Sequence, residues 1–417
     1  MNLLLIKIGK ALHTLKREGL WRGGRRVSKA FFALFRRVGS GDVLFITGGV
    51  GDSALYRAHH VAEELEIQGL TTGITVQDNP FLPSYADKFS VFIFHRVLYT
   101  PSVAKLMERI KAQDKEIIFE TDDLVFDPQY LKFMDYFQKM NNLERKLYEN
   151  GVGGEILNDP YVKVCTTTTT FLAEKLREKG KRVFIVPNKL TQEDVAVAEA
   201  VIANKCHSEL VEESASVAKG SLDYARDDNR KNTIKIGYFS GTLSHNKDFA
   251  TITDALATVL EKYPQTRLFL VGPLETESKL SVFADRIEQF PYAARAQHFA
   301  NVASVDINLA PLEIGNPFCE SKSELKFFEA GIVGVPTVAS ATAPYKEAIE
   351  DGVDGFVAST TEEWVEKLCR LIEDAPLRTA MGEKAKAKAM QKYTTANAQN
   401  KEYYEYLHSK VTRSFPA

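Results

Sequence analysis

The stretch Asn308–Ser340, NLAPLEIGNPFCESKSELKFFEAGIVGVPTVAS, constrains the fold more than any other in the chain. A short apolar run opens it, a loop with Gly315 and Pro317 follows, and Leu325, Phe328 and Ala330 recur at helical spacing until Gly331 and Gly334 close the helix. Val335–Ala339 then reads as the next buried strand. A strand, a helix and a strand in succession point to a parallel sheet covered by helices. Where loop meets helix, Ser321, Lys322 and Ser323 bring backbone N–H groups, the positive end of the helix dipole and an ammonium to one crevice, a place suited to a phosphate. Glu329 follows Lys326 by three residues on the same helical face, and its carboxylate can accept hydrogen bonds from a ribose diol. The plain alternative is an amphipathic helix between two strands, with Lys322 and Lys326 merely solvated.

The same alternation runs through the first half. Strand-like runs at Gly73–Val76, Val91–His95, Glu116–Glu120, Lys163–Thr166 and Val183–Val186 are separated by helix-like stretches such as Val103–Gln113 and Phe171–Gly180. Ligands of such sheets sit at the carboxyl ends of the strands. His95, Arg96, Asp122, Asp123 and the pair Pro187-Asn188 all fall there. His95 is a candidate general base, although a lone histidine is more often structural. Asp122 and Asp123 suit acceptor binding, base function or helix capping, and paired carboxylates also suit Mg²⁺. From Asp42 a strand leads into the turn Gly48-Gly49-Val50-Gly51 and a helix with Leu55, Ala58, Val61, Ala62 and Leu65 on one face. The glycines lack the spacing of a dinucleotide fingerprint, so Gly49 is read as letting the backbone approach a substrate. Arg57, one turn into that helix, either reaches toward a phosphate or lies on the surface.

The second half starts with strand Ile234–Phe239, a turn at Ser240-Gly241-Thr242 and, after Lys247, a helix with Phe249, Ile252, Leu256 and Leu260 on one face. Leu268–Val271 and Val305–Leu309 are further strands, and Trp364–Ile372 a helix. Between Thr191 and Asn232 the composition turns polar and biased, no strand or helix period persists, and a linker or insert is expected. The implied domains are 41–190 and 233–390, flanked by a basic segment 1–40 and by terminal helices 391–417 that cross back to the first domain.

With 417 residues, 44% hydrophobic and 26% charged, the chain can build two cores, and its net charge of −2 argues against nucleic acid as a partner. That balance hides an asymmetry. The first forty residues hold ten Lys or Arg against Glu18 alone, which leaves the remainder near −11. Residues 1–38 mix these cations with Trp21, Phe31, Phe32 and Phe35, as a segment lying on an anionic membrane surface would; a helix packed on the protein body or a basic tail are the alternatives. Cys165, Cys206, Cys319 and Cys369 are scattered without metal or redox spacing, which suits a reducing cytoplasm, and no apolar run approaches the ~20 residues that span a bilayer.

The segment Phe328-Glu329-Ala330, followed at 334–340 by GVPTVAS, resembles the donor-site signature of GT-B glycosyltransferases of group 1, the family 4-like enzymes. The resemblance extends over 233–395 and, more faintly, over 42–190. It implies an α/β protein with two Rossmann-like domains whose parallel sheets face a central cleft. The implied activity is transfer of a sugar from a nucleotide-diphosphate sugar to a glycan or lipid-linked acceptor, with retention of configuration. The setting would be bacterial surface polysaccharide synthesis at the inner membrane face, and neither a metal nor another cofactor would take part. The donor would be held by Gly241, Thr242, Lys247, Lys322, Ser323, Lys326 and Glu329. His95, Asp122, Asp123 and Glu320 are the catalytic candidates, with Gly49, Arg57 and Arg96 on the acceptor side. Two positions depart from the family pattern. Ser321 stands where retaining members have their first glutamate, with Glu320 one residue early and Glu324 nearby, and Thr242 replaces an arginine while Lys247 matches the family lysine. These departures leave room for an inactive nucleotide-sugar-binding subunit at the membrane, and a sugar-nucleotide epimerase of the same fold is the other rival.

Overall fold

The computed structural model describes residues 23–24, 27–28, 31–134, 137, 140, 145–146, 148–218, 233–241 and 246–411, with the side chains of 206–218 excepted. Thr242 and most of the basic segment 1–38 lie outside the described residues. The chain forms two compact units, Met1–Lys189 with Ala398–Ala417, and Leu190–Asn397.

The first unit contains β1 (Val43–Thr47), helix α1 (Asp52–Ala54, continuing through a π-helical stretch Leu55–His60 into Val61–Ile67), β2 (Thr72–Val76), β3 (Val91–His95), α2 (Pro101–Ala112), β4 (Glu116–Thr121), α3 (Gly154–Asn158), β5 (Val164–Thr167), α4 (Thr170–Arg177) and β6 (Arg182–Ile185). All six strands are parallel in the order β2-β1-β3-β4-β5-β6. The apolar runs of the inner strands β1, β3, β4 and β5 are buried on both faces, as a parallel sheet covered by helices requires, while the edge strands β2 and β6 are partly exposed. Thr100 and Thr169 cap α2 and α4 by accepting from Val103 N and Leu172 N, each about 1 kcal/mol of helix stability.

The second unit begins with α5 (Gln192–Ala218), followed by β7 (Ile234–Phe239), α6 (Asn246–Ala250), α7 (Thr253–Lys262), β8 (Thr266–Val271), β9 (Ile287–Phe290), α8 (Arg295–Ala303), β10 (Ile307–Ala310), α9 (Pro317–Glu320), α10 (Leu325–Gly331), β11 (Thr337–Ser340), α11 (Ala343–Ala348), β12 (Phe356–Ala358), α12 (Thr361–Glu373) and α13 (Ala375–Lys392). Its strands are parallel in the order β12-β11-β10-β7-β8-β9. Ile236, Leu256, Leu268, Leu309, Val338 and Trp364 lie in its core. The last helix, α14 (Lys401–Lys410), belongs to the first unit and buries Tyr403, Tyr404 and Leu407 in a core shared with Phe45, Leu65 and Phe184.

The stretch read as lacking a helical period is instead helical from Gln192 to Ala218. Its start carries a reciprocal cap, Asp194 N donating to Thr191 Oγ1 (3.1 Å) and Thr191 N to the Asp194 carboxylate (3.2 Å), and the residues that follow are rich in alanine. The biased composition further along obscured that signal. Strands β9 and β12, short and half-exposed in places, were not anticipated.

Candidate active site

In each sheet the chain turns to opposite sides of its first strand, and the crevice between the two neighbours so created is where ligands of open α/β sheets bind. That point lies between β1 and β3 in the first unit and between β7 and β10 in the second. Each crevice is built within its own unit.

In the first unit the β1 turn and the end of β3 are locked together. Gly48 N donates to His95 O at 3.0 Å, and Arg96 adopts φ 50°, a left-handed conformation that turns its carbonyl against Gly48. A Cβ at Gly48 would stand 2.0 Å from Arg96 O, so only glycine fits, whereas a Cβ at Gly49 would meet nothing within 4 Å. Beside this junction is a cavity of about 230 Å³, lined among others by Gly48, Gly49, Ser53, His95, Arg96 and Tyr148.

His95 is buried, and its Nε2 lies 2.8 Å from Ser53 Oγ, which also lies 2.8 Å from Asp122 Oδ2. Burial works against charge on Asp122, but Arg96 (Nε to Oδ1, 2.6 Å), His95 and the Ser53 hydrogen bond hold its carboxyl far below the usual carboxylate range. An ionised Asp122 can only accept, so the single hydroxyl hydrogen of Ser53 goes to it and His95 donates Nε2–H to Ser53. Burial, opposed by Asp122 and reinforced by Arg96 and Arg57, pushes the imidazole down to about 3. Its Nδ1 has no hydrogen-bond partner among the described residues and sits 4.0 Å from Glu120. His95 is therefore neutral, with the nitrogen nearest Ser53 already protonated, an arrangement that does not suit a general base acting through that atom. Asp123 takes one of the roles left open for it, capping: Oδ1 caps the turn Leu124–Phe126 through Leu124 N (2.9 Å), while Oδ2 accepts from Arg96 Nη2 (3.3 Å).

Arg57 is neither a surface residue nor turned toward a phosphate. It is buried, with Nε and Nη2 on the two oxygens of Glu120 (2.7 and 3.0 Å) and Nη1 on Val186 O (2.7 Å) and Asn188 Oδ1 (3.0 Å). Asn188, expected at a ligand-bearing strand end, thus serves this internal network. Sequence reasoning missed Ser53 and Tyr148; the only hint for Ser53 was its place just after the glycine turn.

In the second unit, Gly241 follows β7 and is exposed, and Lys247 is exposed on α6. Lys322 lies with Nζ 5.2 Å from the Phe318 ring, and Ser323 is half-buried in the loop before α10. Lys326, on the first turn of α10, has Nζ 5.6 Å from the Tyr238 ring, and this ammonium has no hydrogen-bond or ion-pair partner among the described residues. Burial lowers its pKa, opposed by Glu329 and Asp248 and reinforced by Lys322. Glu329 is buried, its Oε1 paired with Arg295 Nη1 and its Oε2 3.1 Å from His298 Nε2. Glu320 is a brace for the loop: its oxygens accept from Gly315 N (3.0 Å) and Ala343 N (2.8 Å), so the structure gives this catalytic candidate a backbone-holding role. Ser321 is fully buried and donates to Phe318 O at 2.8 Å. Asp248, Arg295 and His298 escaped sequence reasoning because each acts on a partner distant in the chain. Among the described residues no group of three or more His, Cys, Asp or Glu could hold a metal ion, and no helix is long and apolar enough to cross a membrane.

Two parallel six-stranded α/β units, each with a crevice at its switch point, define the two-domain architecture of the GT-B enzymes. Residues 234–374 match the family of glycosyl transferases group 1. Three solved structures share the fold across nearly the whole chain. HepE from Anabaena, crystallised with UDP-glucose, has a TM-score of 0.57 and 16% identity, covering 88% of this chain and 100% of that one. A glycosyltransferase from Rickettsia africae has a TM-score of 0.57 and 13% identity, and sucrose-phosphate synthase from Thermosynechococcus elongatus 0.56 and 13%; each covers 88% of this chain and is itself covered to 99%. A comparison with curated proteins gives no match. The chain has the GT-B fold, and within its second unit residues 234–374 carry a glycosyl transferases group 1 domain.

Proposed function

We propose that the protein moves a sugar from a nucleotide-diphosphate sugar, bound at the β7/β10 crevice, to a glycan or lipid-linked acceptor. The observation that carries the reading is Lys326, an ammonium partly withdrawn from water over Tyr238 without a direct ion pair among the described residues. A diphosphate would supply the missing charge, and a cation already in place stabilises the leaving group as the glycosidic bond breaks. Lys247 and Lys322 lie on the adjoining segments, and Glu329 would take the ribose. HepE was crystallised with UDP-glucose, which supports the same donor class here. Retention of configuration, independence of a metal and a place in surface polysaccharide synthesis are part of the proposal by family resemblance. The acceptor would bind on the first unit, at the cavity of Gly49, Ser53 and Arg96.

A panel of UDP-, GDP-, ADP-, CDP- and dTDP-sugars read by thermal shift would identify the donor, and Lys326→Ala should then weaken it about tenfold or more, since hydrogen bonds to charged groups are worth roughly 1.5–3 kcal/mol. Unchanged affinity in a folded variant would sink the assignment. Residues 31–35 leave Phe31, Phe32 and Phe35 exposed, with Arg36 and Arg37 also exposed beside them, so we assign the basic segment to an anionic membrane face. Failure of the full-length protein to sediment with phosphatidylserine vesicles at low salt would remove that assignment.

A further inference from the structure

Helix α5 is tied to Glu329 through a chain of side chains. Asp194, in the first turn of α5, grips the guanidinium of Arg295 with both oxygens, Nε to Oδ1 at 2.8 Å and Nη2 to Oδ2 at 3.0 Å. Arg295, the first residue of α8, passes its remaining nitrogen, Nη1, to Oε1 of Glu329 on α10. Its guanidinium also lies 4.8 Å from the ring of Phe299, one turn along its own helix. His298, from the same helix as Arg295, reaches the other oxygen of Glu329 at 3.1 Å. Both Asp194 and Glu329 are buried, so neither carboxylate is free to swing in solvent.

A planar guanidinium fixed along one edge by a bidentate carboxylate has a fixed direction for its remaining donors. The oxygen it meets is then fixed as well. We propose that Arg295, anchored by Asp194, is the positioning residue that aims the Glu329 carboxylate at the two ribose hydroxyls of the donor nucleotide. The proposal rests on the reading of Glu329 as the ribose ligand. It gives α5 a task, since the helix supplies the anchor on which that aim depends. A carboxylate can accept about four hydrogen bonds, so holding Arg295 and His298 does not by itself bar a diol.

The test compares UDP, GDP and ADP with their 2′,3′-dideoxy forms by titration calorimetry on the full-length chain, using whichever base binds. Wild type should prefer the ribonucleotide by about tenfold or more, because a site built to bond hydroxyls rejects the analogue that lacks them. Arg295→Met should bring that preference to within about twofold while dideoxy affinity stays as it was. A merely structural arginine would instead weaken both nucleotides alike and leave their ratio intact, which would overturn the proposal. Should Arg295→Met fail to fold, Asp194→Asn serves: it keeps the Arg295 charge but frees its direction, and an undiminished ribose preference there overturns the proposal equally. If wild type itself shows no ribose preference, the Glu329 reading falls and the proposal with it. If wild type shows the preference and Arg295→Met keeps it, only the positioning role falls.

Discussion

Removing the buried arginine of the first unit isolates the physics of its core. Arg57→Met substitutes an unbranched apolar side chain for a guanidinium that meets both oxygens of Glu120, Val186 O and Asn188 Oδ1, all away from solvent. What remains is a buried carboxylate that accepts from Thr166 Oγ1 with the neutral His95 nearby, and breaking a buried pair from one side costs about 3–5 kcal/mol. At roughly 2–4 °C per kcal/mol for a unit of this size, the melting temperature should fall by about 6–20 °C. Thermal melting followed by circular dichroism measures it. Burial already raises the Glu120 pKa above 4.5, with Arg57 opposing the shift, so losing Arg57 raises it further. Below pH 4.5 the group is protonated in both states and adds no charge penalty. As pH rises through 4.5 the unfolded chain ionises first, so the deficit of the variant should grow from pH 4 toward 7. Arg57→Met combined with Glu120→Gln should regain a good part of the loss, since no charge is then stranded. A variant that melts like wild type but loses nucleotide or phosphate binding would refute the structural role and restore Arg57 as a ligand-facing residue.

Gly48→Ala places a methyl 2.0 Å from Arg96 O and should cost about 2 kcal/mol or more in chemical denaturation, whereas Gly49→Ala meets nothing within 4 Å and should stay within about 0.5 kcal/mol; equal effects would contradict the Gly48–Arg96 junction. His95, pushed down by burial to about 3 from an ordinary 6.5, should show in two-bond ¹⁵N–¹H spectra a neutral Nε2–H ring that does not titrate between pH 8 and 5. Its neutral burial takes away stability as pH falls from 6.5 toward 3, where the unfolded chain binds a proton that the folded one does not, and a titration midpoint near 6.5 would disprove the Ser53–Asp122 hydrogen-bond chain.

Much of the architecture was legible locally. Val91–His95 and Ile234–Phe239 carry apolar runs dense enough to mark buried parallel strands, and the structure places both strands at those residues. The spacing of Leu325, Phe328 and Ala330 likewise set the helix that bears Lys326 and Glu329. Such signals are readable because strand and helix periods depend on neighbours a few residues away. The reciprocal cap of Thr191 and Asp194 was equally local, and was passed over because the composition beyond it is biased. Partnership is another matter. Arg57 finds Glu120, Ser53 joins His95 to Asp122, and Asp194 reaches Glu329 through Arg295, each across separations that no periodicity encodes. Which side chains meet depends on the order of the strands, β2-β1-β3 and β10-β7-β8, which sets the carboxyl end of one strand beside another remote in the chain. The sequence determined the two parallel α/β units and the positions of their charged residues, while only the tertiary structure decided which charges pair within the interior, as Arg57 does with Glu120, because removing a charge from water costs free energy unless the folded neighbours supply its counterpart.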